Sequence, residues 1–432
     1  MLNKIMTRMN PRLIIDTETG SIPFISWNFI KHNTGILFRS ESNEINGAVR
    51  YDCGSDYLIK VNVGDFLDLN EVSQIDVPSL NEMKSMEDKS LLLSFNDSTK
   101  NFSLYKNSRD EIAIPTIHGR KLVSAKTMLN VASKIGSERV QVIADICTPK
   151  IAKAKWTNRA VIRSMNRLEE TFDLMDSNQS DLKINQKNPI KIWASLTGGY
   201  IEESRIKSCE HLTQYSDRIE AIVIEGFPGI NLAADDNDDE NGSNRKSLDD
   251  CLRLLNKIII PNLPGYLPKS MFGVFFPNDM LRLIDSGIDM LDSSLCTMLT
   301  RKGQALPSPL IDTKAMILRF HLISDSNRNE SSPNDSNDDE LEDPNPTTII
   351  DLYDAKFNKS EKKLSDQCCC HTCSNRYTRA YIHHLLKRHE MNGNMLLQIH
   401  NHYSLTFFFD QIRSMNREQF EKILINSNLR NY

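Results

Sequence analysis

A chain of 432 residues is too long for one small domain and suits a large barrel of about 250 residues with additions, or two domains. Its net charge of -5 argues against a uniformly basic nucleic-acid-binding protein. Nine cysteines that cluster instead of spreading in pairs, with no apolar signal segment, indicate a reducing intracellular compartment and exclude a disulfide framework. Every apolar run is far shorter than the roughly 20 residues of a membrane-spanning helix.

The middle of the chain alternates short β-branched runs with segments of helical spacing. Strands are predicted at residues 140–144, 191–196, 221–224 and 271–275, and helices at 160–174 and 247–255. Continuous apolar strands are typical of a parallel sheet buried on both faces. The pattern predicts an α/β fold, and at this length a (β/α)8 TIM barrel, since no glycine-rich nucleotide-binding motif favours a doubly wound sheet.

Catalytic side chains of a barrel lie where its strands end. Asp145, Gly226 and Asp292 stand at such ends. Two carboxylates at a barrel mouth can act as nucleophile and substrate anchor, although either can equally be a helix N-cap. Asp289 is an alternative to Asp292, because the two differ by an odd step and strand alternation alone does not decide which one faces inward.

Charge is distributed unevenly along the chain. Two acidic tracts near 234–247 and 324–346 are too polar to join a core and are predicted to be disordered surface loops. By contrast, six basic residues occur without an acidic one between positions 150 and 167, and basic residues outnumber acidic ones from 355 to 432. Such local surfaces suit a phosphate-backbone binder or are simply solvated helix faces.

Cysteines converge in one short stretch near the C-terminus. Cys368, Cys370 and Cys373 can approach one ion from a single loop, and His400 can complete a tetrahedral zinc site. One straight helix from Cys373 to His400 would span about 40 Å, so the chain is predicted to bend, at Asn392-Gly393. A Cys3His set leaves no open position, which predicts a structural ion.

The alternatives at this stretch are few. His371 and His402 are weaker candidates for the fourth ligand, and Cys369 is the predicted spare thiol. The remaining interpretation is that these are ordinary buried, reduced cysteines.

The cysteine loop, with Thr378–Leu386, Glu390-Met391 and His400-Asn401 after it, resembles the zinc subdomain of the tRNA-guanine transglycosylases. Gly287–Asp292, followed by Arg301–Leu306, is similar to the segment that carries the nucleophile in that family. The resemblance implies a (β/α)8 barrel over residues 1–350 and a zinc-binding helical subdomain over 351–432, with one structural Zn2+ per chain.

The same resemblance assigns roles to the strand-end residues. It makes Asp292 the nucleophile position and places Asp145 and Gly226 at the purine-binding positions. The family's Asp-Ser-Gly-Gly-(Phe/Tyr)-Gln motif is absent, however, and its nearest remnant is Ser94–Ser98. The family's Pro-Thr-Arg reads Cys296-Thr297-Met298. These positions are therefore vestigial, and no catalytic residue is expected.

The departures are similar to those of the family's non-catalytic accessory subunits in eukaryotes, as are three segments, Thr17–Pro23, Arg159–Leu174 and Ile224–Gly229. The resemblance implies a heterodimer with a catalytic queuine tRNA-ribosyltransferase subunit. That pair exchanges guanine for queuine at the wobble position of tRNAs with GUN anticodons, those for Asp, Asn, His and Tyr. The alternative is a divergent active transglycosylase that uses Asp292 as its nucleophile.

Contacts with tRNA are expected from four basic residues, Arg301, Lys302, Arg379 and Lys387. Each of them could equally be a solvated surface charge. The resemblance also implies a cytoplasmic protein. The family's association with the mitochondrial outer membrane would have to be peripheral, because no spanning segment is predicted.

Overall fold

A computed structural model describes residues 10–32, 58–68, 80, 90–99, 110–116, 118–146, 153–177, 189–228, 230, 243–321 and 347–429. The predicted acidic loops fall outside these residues at 234–242 and 324–346, and so does Lys150. Residues 243–247, predicted as part of the first loop, instead begin a helix.

Fourteen strands lie within these residues, and eight of them form the barrel. In chain order they are β1 (Arg12–Asp16), β2 (Leu58–Asn62), β3 (Ser90–Ser94), β4 (Glu111–Thr116), β5 (Gly119–Ser124), β6 (Arg139–Gln141), β7 (Lys191–Leu196), β8 (Ile219–Ile224), β9 (Lys269–Met271), β10 (Met290–Asp292), β11 (Gln304–Ala305), β12 (Ile311–Asp312), β13 (Ile317–Leu318) and β14 (Ile350–Asp351).

The barrel closes in the order β1-β10-β9-β8-β7-β6-β3-β2, and every pairing in it is parallel. The predicted (β/α)8 barrel is therefore confirmed. The remaining strands form three two-stranded antiparallel sheets, β4 with β5, β11 with β14 and β12 with β13. Closure leaves the eight barrel strands without an open edge.

The predicted strands agree with the structure most closely where the apolar run is longest. The run at 191–196 is β7 as predicted, whereas β6 ends at Gln141 and β9 at Met271, before the ends of their apolar runs. Val142 still donates its N–H to the Trp193 carbonyl at 2.9 Å. The buried residues that follow β6 therefore extend this strand beyond its regular pairing and lead to Asp145.

The α-helices are α1 (Trp27–His32), α2 (Ala125–Ile135), α3 (Ala154–Ser177), α4 (Glu202–Gln214), α5 (Ser243–Leu254), α6 (Pro277–Asp285), α7 (Ser294–Arg301), α8 (His371–Ser374), α9 (Arg379–Lys387), α10 (Met391–Arg413) and α11 (Arg417–Asn426). The helix predicted at 160–174 is the middle of α3, and the one predicted at 247–255 is most of α5. No helix in the described ranges is long and apolar enough to cross a membrane.

Two compact units divide the chain. The barrel unit comprises Arg12–Ile22 and Ser55–Ser294, and the zinc unit comprises Met1–Pro11, Pro23–Gly54 and Leu295–Tyr432. The longest segment of the zinc unit begins at Leu295, and the predicted boundary at 350 stays a prediction. Within this unit, Asn401 Nδ2 of α10 donates to Thr300 Oγ1 and to the Gln304 carbonyl, both at 3.0 Å.

Candidate functional site

The inward positions of the barrel change from apolar to polar near the carboxyl ends of the strands. The apolar layer includes Ile14, Leu92, Trp193, Val223 and Met290. Two residues further along the same segments come Asp16, Ser94, Ser195, Glu225 and Asp292. Because side chains alternate along a strand, these positions face the same interior. An apolar floor therefore lies beneath a polar layer at the barrel mouth, where family chemistry would occur.

Asp292 is fully buried and has every carboxylate oxygen occupied. Its Oδ2 accepts from Lys60 Nζ at 2.7 Å and from Ser98 Oγ at 2.6 Å. Its Oδ1 accepts from the Ser294 hydroxyl and, at 3.4 Å, from the Ser294 N–H. A carboxylate held by a cation and two hydroxyls is a poor nucleophile, because attack on a sugar carbon would require it to leave these partners.

Asp289 has a different role. It immediately precedes β10, and its carboxylate accepts from the Lys269 N–H at 2.8 Å where β9 begins. Its own N–H donates to the Lys269 carbonyl at 2.8 Å. The structure thus gives the position at the mouth to Asp292, a choice that strand alternation left open.

Lys60 links the two acidic strand ends and was not singled out from the sequence. Its ammonium is 3.0 Å from Asp16 Oδ1 and 2.5 Å from Ser98 Oγ, and the residue is 1% exposed. Burial opposes its charge, but the carboxylates of Asp16 and Asp292 outweigh burial and raise the pKa of Lys60. Burial raises the pKa of Asp16 to about 7, against the attraction of Lys60. The only sequence signal was a lysine inside the apolar run Leu58–Val61.

Asp145, the predicted purine anchor, is bound by an arginine of the same unit. Its Oδ2 accepts from Arg163 Nε at 2.8 Å, and its N–H donates to Ser164 Oγ at 2.9 Å. Both partners lie on α3. Gly226 has a φ of +72° and its carbonyl accepts from Arg205 Nη2 at 3.4 Å. This glycine permits a left-handed turn after β8.

The remnant of the missing motif folds into the barrel mouth. Asn96 Nδ2 donates to both carboxylate oxygens of Glu225, at 3.1 and 3.0 Å, and Gln141 Nε2 donates to the same carboxylate at 3.0 Å. Burial raises the pKa of Glu225 despite these donors. With Ser98 on Asp292, side chains of the segment 94–98 occupy the carboxylates of both Glu225 and Asp292 at the barrel mouth. Glu225, Asn96 and Gln141 gave no recognisable sequence signal as a group.

The second candidate site is a metal centre in the zinc unit. Cys368, Cys370, Cys373 and His400 are buried, and their ligand atoms all lie within 4.8 Å of one another. His400 Nδ1 is 3.6, 3.5 and 3.5 Å from the three sulfurs. A tetrahedral zinc with bonds of about 2.3 Å to sulfur and 2.0–2.1 Å to nitrogen places these atoms about 3.6 Å apart. The donor set therefore fits Zn2+.

The elements around the centre fix its donors. Cys370 is the N-cap of α8 and accepts from the Cys373 N–H at 3.4 Å, which turns two sulfurs toward one point. His400 Nε2 donates to the Leu306 carbonyl at 2.8 Å, so Nδ1 is left free for the metal. Contact with the other two thiols lowers the pKa of Cys373 to about 4, whereas burial raises the pKa of Cys370. A cation bound to the three sulfurs would hold all of them as thiolates.

The predicted bend between the cysteine loop and His400 is real, but its predicted position was wrong. Helix α9 ends at Lys387 and α10 begins at Met391, with His389 between them at a φ of +57°. Gly393 lies inside the first turn of α10. A Cβ there would be 3.1 Å from Leu385 Cβ. Gly393 therefore allows α9 and α10 to pack closely, and it does not form the turn between them.

The alternative ligands lie outside the centre. Cys369 is exposed, as expected of a spare thiol. His371 is half-buried, and its Nδ1 is 3.2 Å from Asn375 Nδ2. His402 is buried, and burial lowers its pKa to about 4. Neither histidine belongs to the group of atoms that could hold an ion.

The four basic residues expected to contact tRNA are not equivalent. Arg301, Lys302 and Lys387 are exposed. Arg379 is 2% exposed, and its guanidinium donates to the carbonyls of Lys363 and Leu364 at 3.0 and 3.3 Å. Its side chain anchors the segment that leads to the cysteine loop, which argues against a contact between Arg379 and tRNA.

A parallel (β/α)8 barrel with a polar mouth, together with a buried Cys3His centre, defines a barrel of the tRNA-guanine transglycosylase type. The sequence matches the queuine tRNA-ribosyltransferase family over residues 69–428, and the chain belongs to that family.

Similar relatives carry the name queuine tRNA-ribosyltransferase accessory subunit 2. The Ixodes scapularis protein is 31% identical over 275 residues, which are 63% of this chain and 60% of that protein. The Xenopus tropicalis protein is 23% identical over 417 residues, 94% of this chain and 89% of that protein. The human protein is 22% identical over 415 residues, which are 93% of this chain and 88% of that protein. The similarity to the accessory subunits is confirmed, and the match spans under two thirds of the Ixodes relative.

Proposed function

We propose that this chain is a non-catalytic subunit of a queuine tRNA-ribosyltransferase. In this role it supports the exchange of guanine for queuine at the wobble position of tRNAs with GUN anticodons through tRNA binding and partner assembly. The observation that carries the proposal is the ion pair between Asp292 and Lys60, with Ser98 on the same carboxylate oxygen. A nucleophile needs a free lone pair aimed at the reacting carbon. Both carboxylate oxygens of Asp292 instead accept hydrogen bonds from neighbouring side chains.

Replacing Asp292 with asparagine tests this proposal against the divergent active enzyme. We expect the isolated wild-type chain to incorporate no labelled guanine into tRNA, and the complex with a catalytic subunit to do so. In that complex Asp292→Asn should leave the exchange rate within about twofold, because the side chain at this position would meet no substrate. Loss of a nucleophile typically costs more than about 10⁴-fold.

Exchange by the isolated chain, or its loss from the Asp292→Asn complex with folding intact, would favour the active enzyme. Urea unfolding of the variant provides the folding control. Asp289→Asn is the matched variant, since it changes a neighbouring carboxylate that binds a strand end.

We propose that the partner subunit docks on an aromatic strip of the zinc unit, defined as Phe29, His371, Tyr377 and Tyr381. Successive ring centroids are 5.5, 6.2 and 5.8 Å apart. Tyr381 is 44% exposed, and Met391 nearby in sequence is 69% exposed. Aromatic residues and methionine are enriched at protein interfaces. The Tyr377 N–H donates to the Thr372 carbonyl at 3.2 Å, which ties the strip to the cysteine loop.

Removing the aromatic strip's two tyrosines should weaken assembly. We expect Tyr377→Ala and Tyr381→Ala each to raise the Kd for the catalytic subunit by about 30-fold, the effect of a residue worth about 2 kcal/mol at an interface. Calorimetry with the purified partner measures it. Tyr266→Ala, which alters a 72% exposed tyrosine of the barrel unit, is the control. An unchanged Kd in both tyrosine variants with zinc retained would refute this docking site.

We also propose that Arg301, Lys302 and Lys387 contact tRNA phosphates. All three are exposed cations of the zinc unit. Lys387 Nζ lies 5.6 Å from the centre of the Tyr353 ring, which limits the positions that its ammonium adopts. Such contacts position the nucleic acid and carry no sequence information. A cytoplasmic location with peripheral attachment to the mitochondrial outer membrane is carried over from the family resemblance alone.

A further inference from the structure

The barrel unit carries an exposed tryptophan that its own folding does not require. Trp156, in the first turn of α3, is 54% exposed, and Ile162 further along the helix is 41% exposed. The other two tryptophans of the chain, Trp27 and Trp193, are 7% and 3% exposed. The opposite side of α3 is buried in the unit. A large indole left in water on an otherwise packed helix indicates a surface that something else covers.

Three cations accompany this indole. Lys153, Lys155 and Arg159 are exposed, and none of them forms an ion pair with any residue that the structure describes. Residues three and four apart on a helix are neighbours, with Cβ atoms about 5–6 Å apart. Arg159 is therefore beside both Trp156 and Lys155. In contrast, Arg163, one turn further on, is occupied by Asp145.

We propose that this α3 surface, made of Lys153, Lys155, Trp156, Arg159 and Ile162, binds an unpaired segment of RNA. One base stacks on the Trp156 indole, and the flanking phosphates contact the cations. Proteins that bind single-stranded nucleic acid combine these two features, an aromatic platform and a positive groove. The inference rests on the proposed function, in which the RNA is tRNA, whose loops and 3′ end offer unstacked bases. It adds a contact surface on the barrel unit.

The composition of the α3 surface favours RNA over the other classes of partner. A helix that lies in a membrane surface turns a long apolar face to the lipid, whereas the apolar face of α3 is buried and only Trp156 and Ile162 remain outside. Protein interfaces are depleted of lysine near their centres, and here two lysines and an arginine neighbour the indole. Three positive charges that form no ion pair with any described residue complement a phosphodiester chain.

Titration of the full chain with tRNA tests the proposal directly, because Trp156 is the one exposed tryptophan of the three. Binding of tRNA should quench the Trp156 emission. It should also protect the remaining emission from quenching by acrylamide. Trp156→Ala should weaken binding about 5- to 150-fold, the range for loss of one base stack, and Trp156→Phe should retain most of the affinity. Lys155→Gln with Arg159→Gln should reduce the slope of log K against log salt by about 1.4 to 1.8. Lys126→Gln with Lys257→Gln, an equal charge change at exposed sites of the same unit, should not.

The outcomes separate this proposal from the proposed function. Suppose that the complex exchanges guanine, that saturating tRNA leaves the Trp156 emission unchanged, and that Trp156→Ala binds tRNA with wild-type affinity. That result would overturn the α3 surface alone. A blue shift with anionic phospholipid vesicles but not with tRNA would overturn it in favour of a membrane. Failure of the wild-type complex to bind or modify tRNA would overturn the proposed function. Quenching by tRNA together with the variant pattern above would support the α3 surface.

Discussion

Replacement of Cys370 with serine is expected to abolish metal binding and to unfold the zinc unit. Zinc content should fall from about one equivalent to a small fraction, since three of four tetrahedral donors hold zinc poorly. The apparent free energy of binding at structural sites is about 10–16 kcal/mol, and it is available only to the folded state. Its loss is comparable to the total stability of a typical domain, about 5–15 kcal/mol. Metal analysis and thermal unfolding measure both effects.

Cys369 offers a matched control for this prediction. It is the neighbouring thiol in the same loop, it is exposed, and it lies outside the centre. Cys369→Ser should keep one equivalent of zinc and the wild-type melting temperature. We expect Cys370→Ser to lose binding to the catalytic subunit before the barrel unit unfolds. Retention of about one equivalent of zinc by Cys370→Ser would contradict the Cys3His assignment.

Replacement of Lys60 with methionine should destabilise the barrel unit by about 3–5 kcal/mol, the cost of leaving buried charges without their partner. Lys60 is 1% exposed and Asp292 is 0% exposed, so water would not replace the lost ammonium. Urea unfolding measures the difference. Lys121→Met is the control, because Lys121 is paired with the exposed Asp68 at the surface, and its removal should leave the free energy of unfolding nearly unchanged.

The destabilisation should depend on pH in a defined direction. Loss of Lys60 removes the attraction that opposes burial, so the folded-state pKa of Asp16 should rise above the value of about 7 that it has in the wild type. Above about pH 7 the folded variant then binds more protons than the folded wild type, so the stability of the variant rises relative to that of the wild type as pH falls. The deficit relative to wild type should therefore shrink as pH falls from about 9 to about 7, and change little below about pH 7. A deficit that is constant from about pH 9 to about pH 7 would contradict the role assigned to Lys60.

Most of the metal centre could be predicted from the sequence, because three of its donors are neighbours. Cys368, Cys370 and Cys373 lie on six consecutive residues, and any tight loop brings their sulfurs together. His400 was identified by residue type and by resemblance. The bend that delivers it was placed at Gly393, since glycine is a common turn residue, whereas the structure uses that glycine where α10 meets Leu385.

The closed barrel mouth could not be predicted in the same way. Lys60 and Asp292 are 232 positions apart, and nothing in either local sequence indicates that they meet. Arg379 shows the same limit, since it was predicted to contact tRNA as one of four basic residues and the structure buries it at 2% exposure. The spacing of residues in the sequence predicts which face of a helix or strand a residue lies on. It does not predict what packs against that face.

The sequence by itself determined the alternation of strands and helices, the Cys3His donor set and the family, because these depend on periodicity and on residues close together in the chain. Strand alternation left Asp289 and Asp292 open and the family resemblance favoured Asp292, but only the tertiary structure shows that Lys60 and Ser98 occupy the Asp292 carboxylate. The physical reason is that burial and ion pairing depend on which distant strands become neighbours. Closure of eight parallel strands sets that, and it places the carboxylates of β1 and β10 around the lysine of β2.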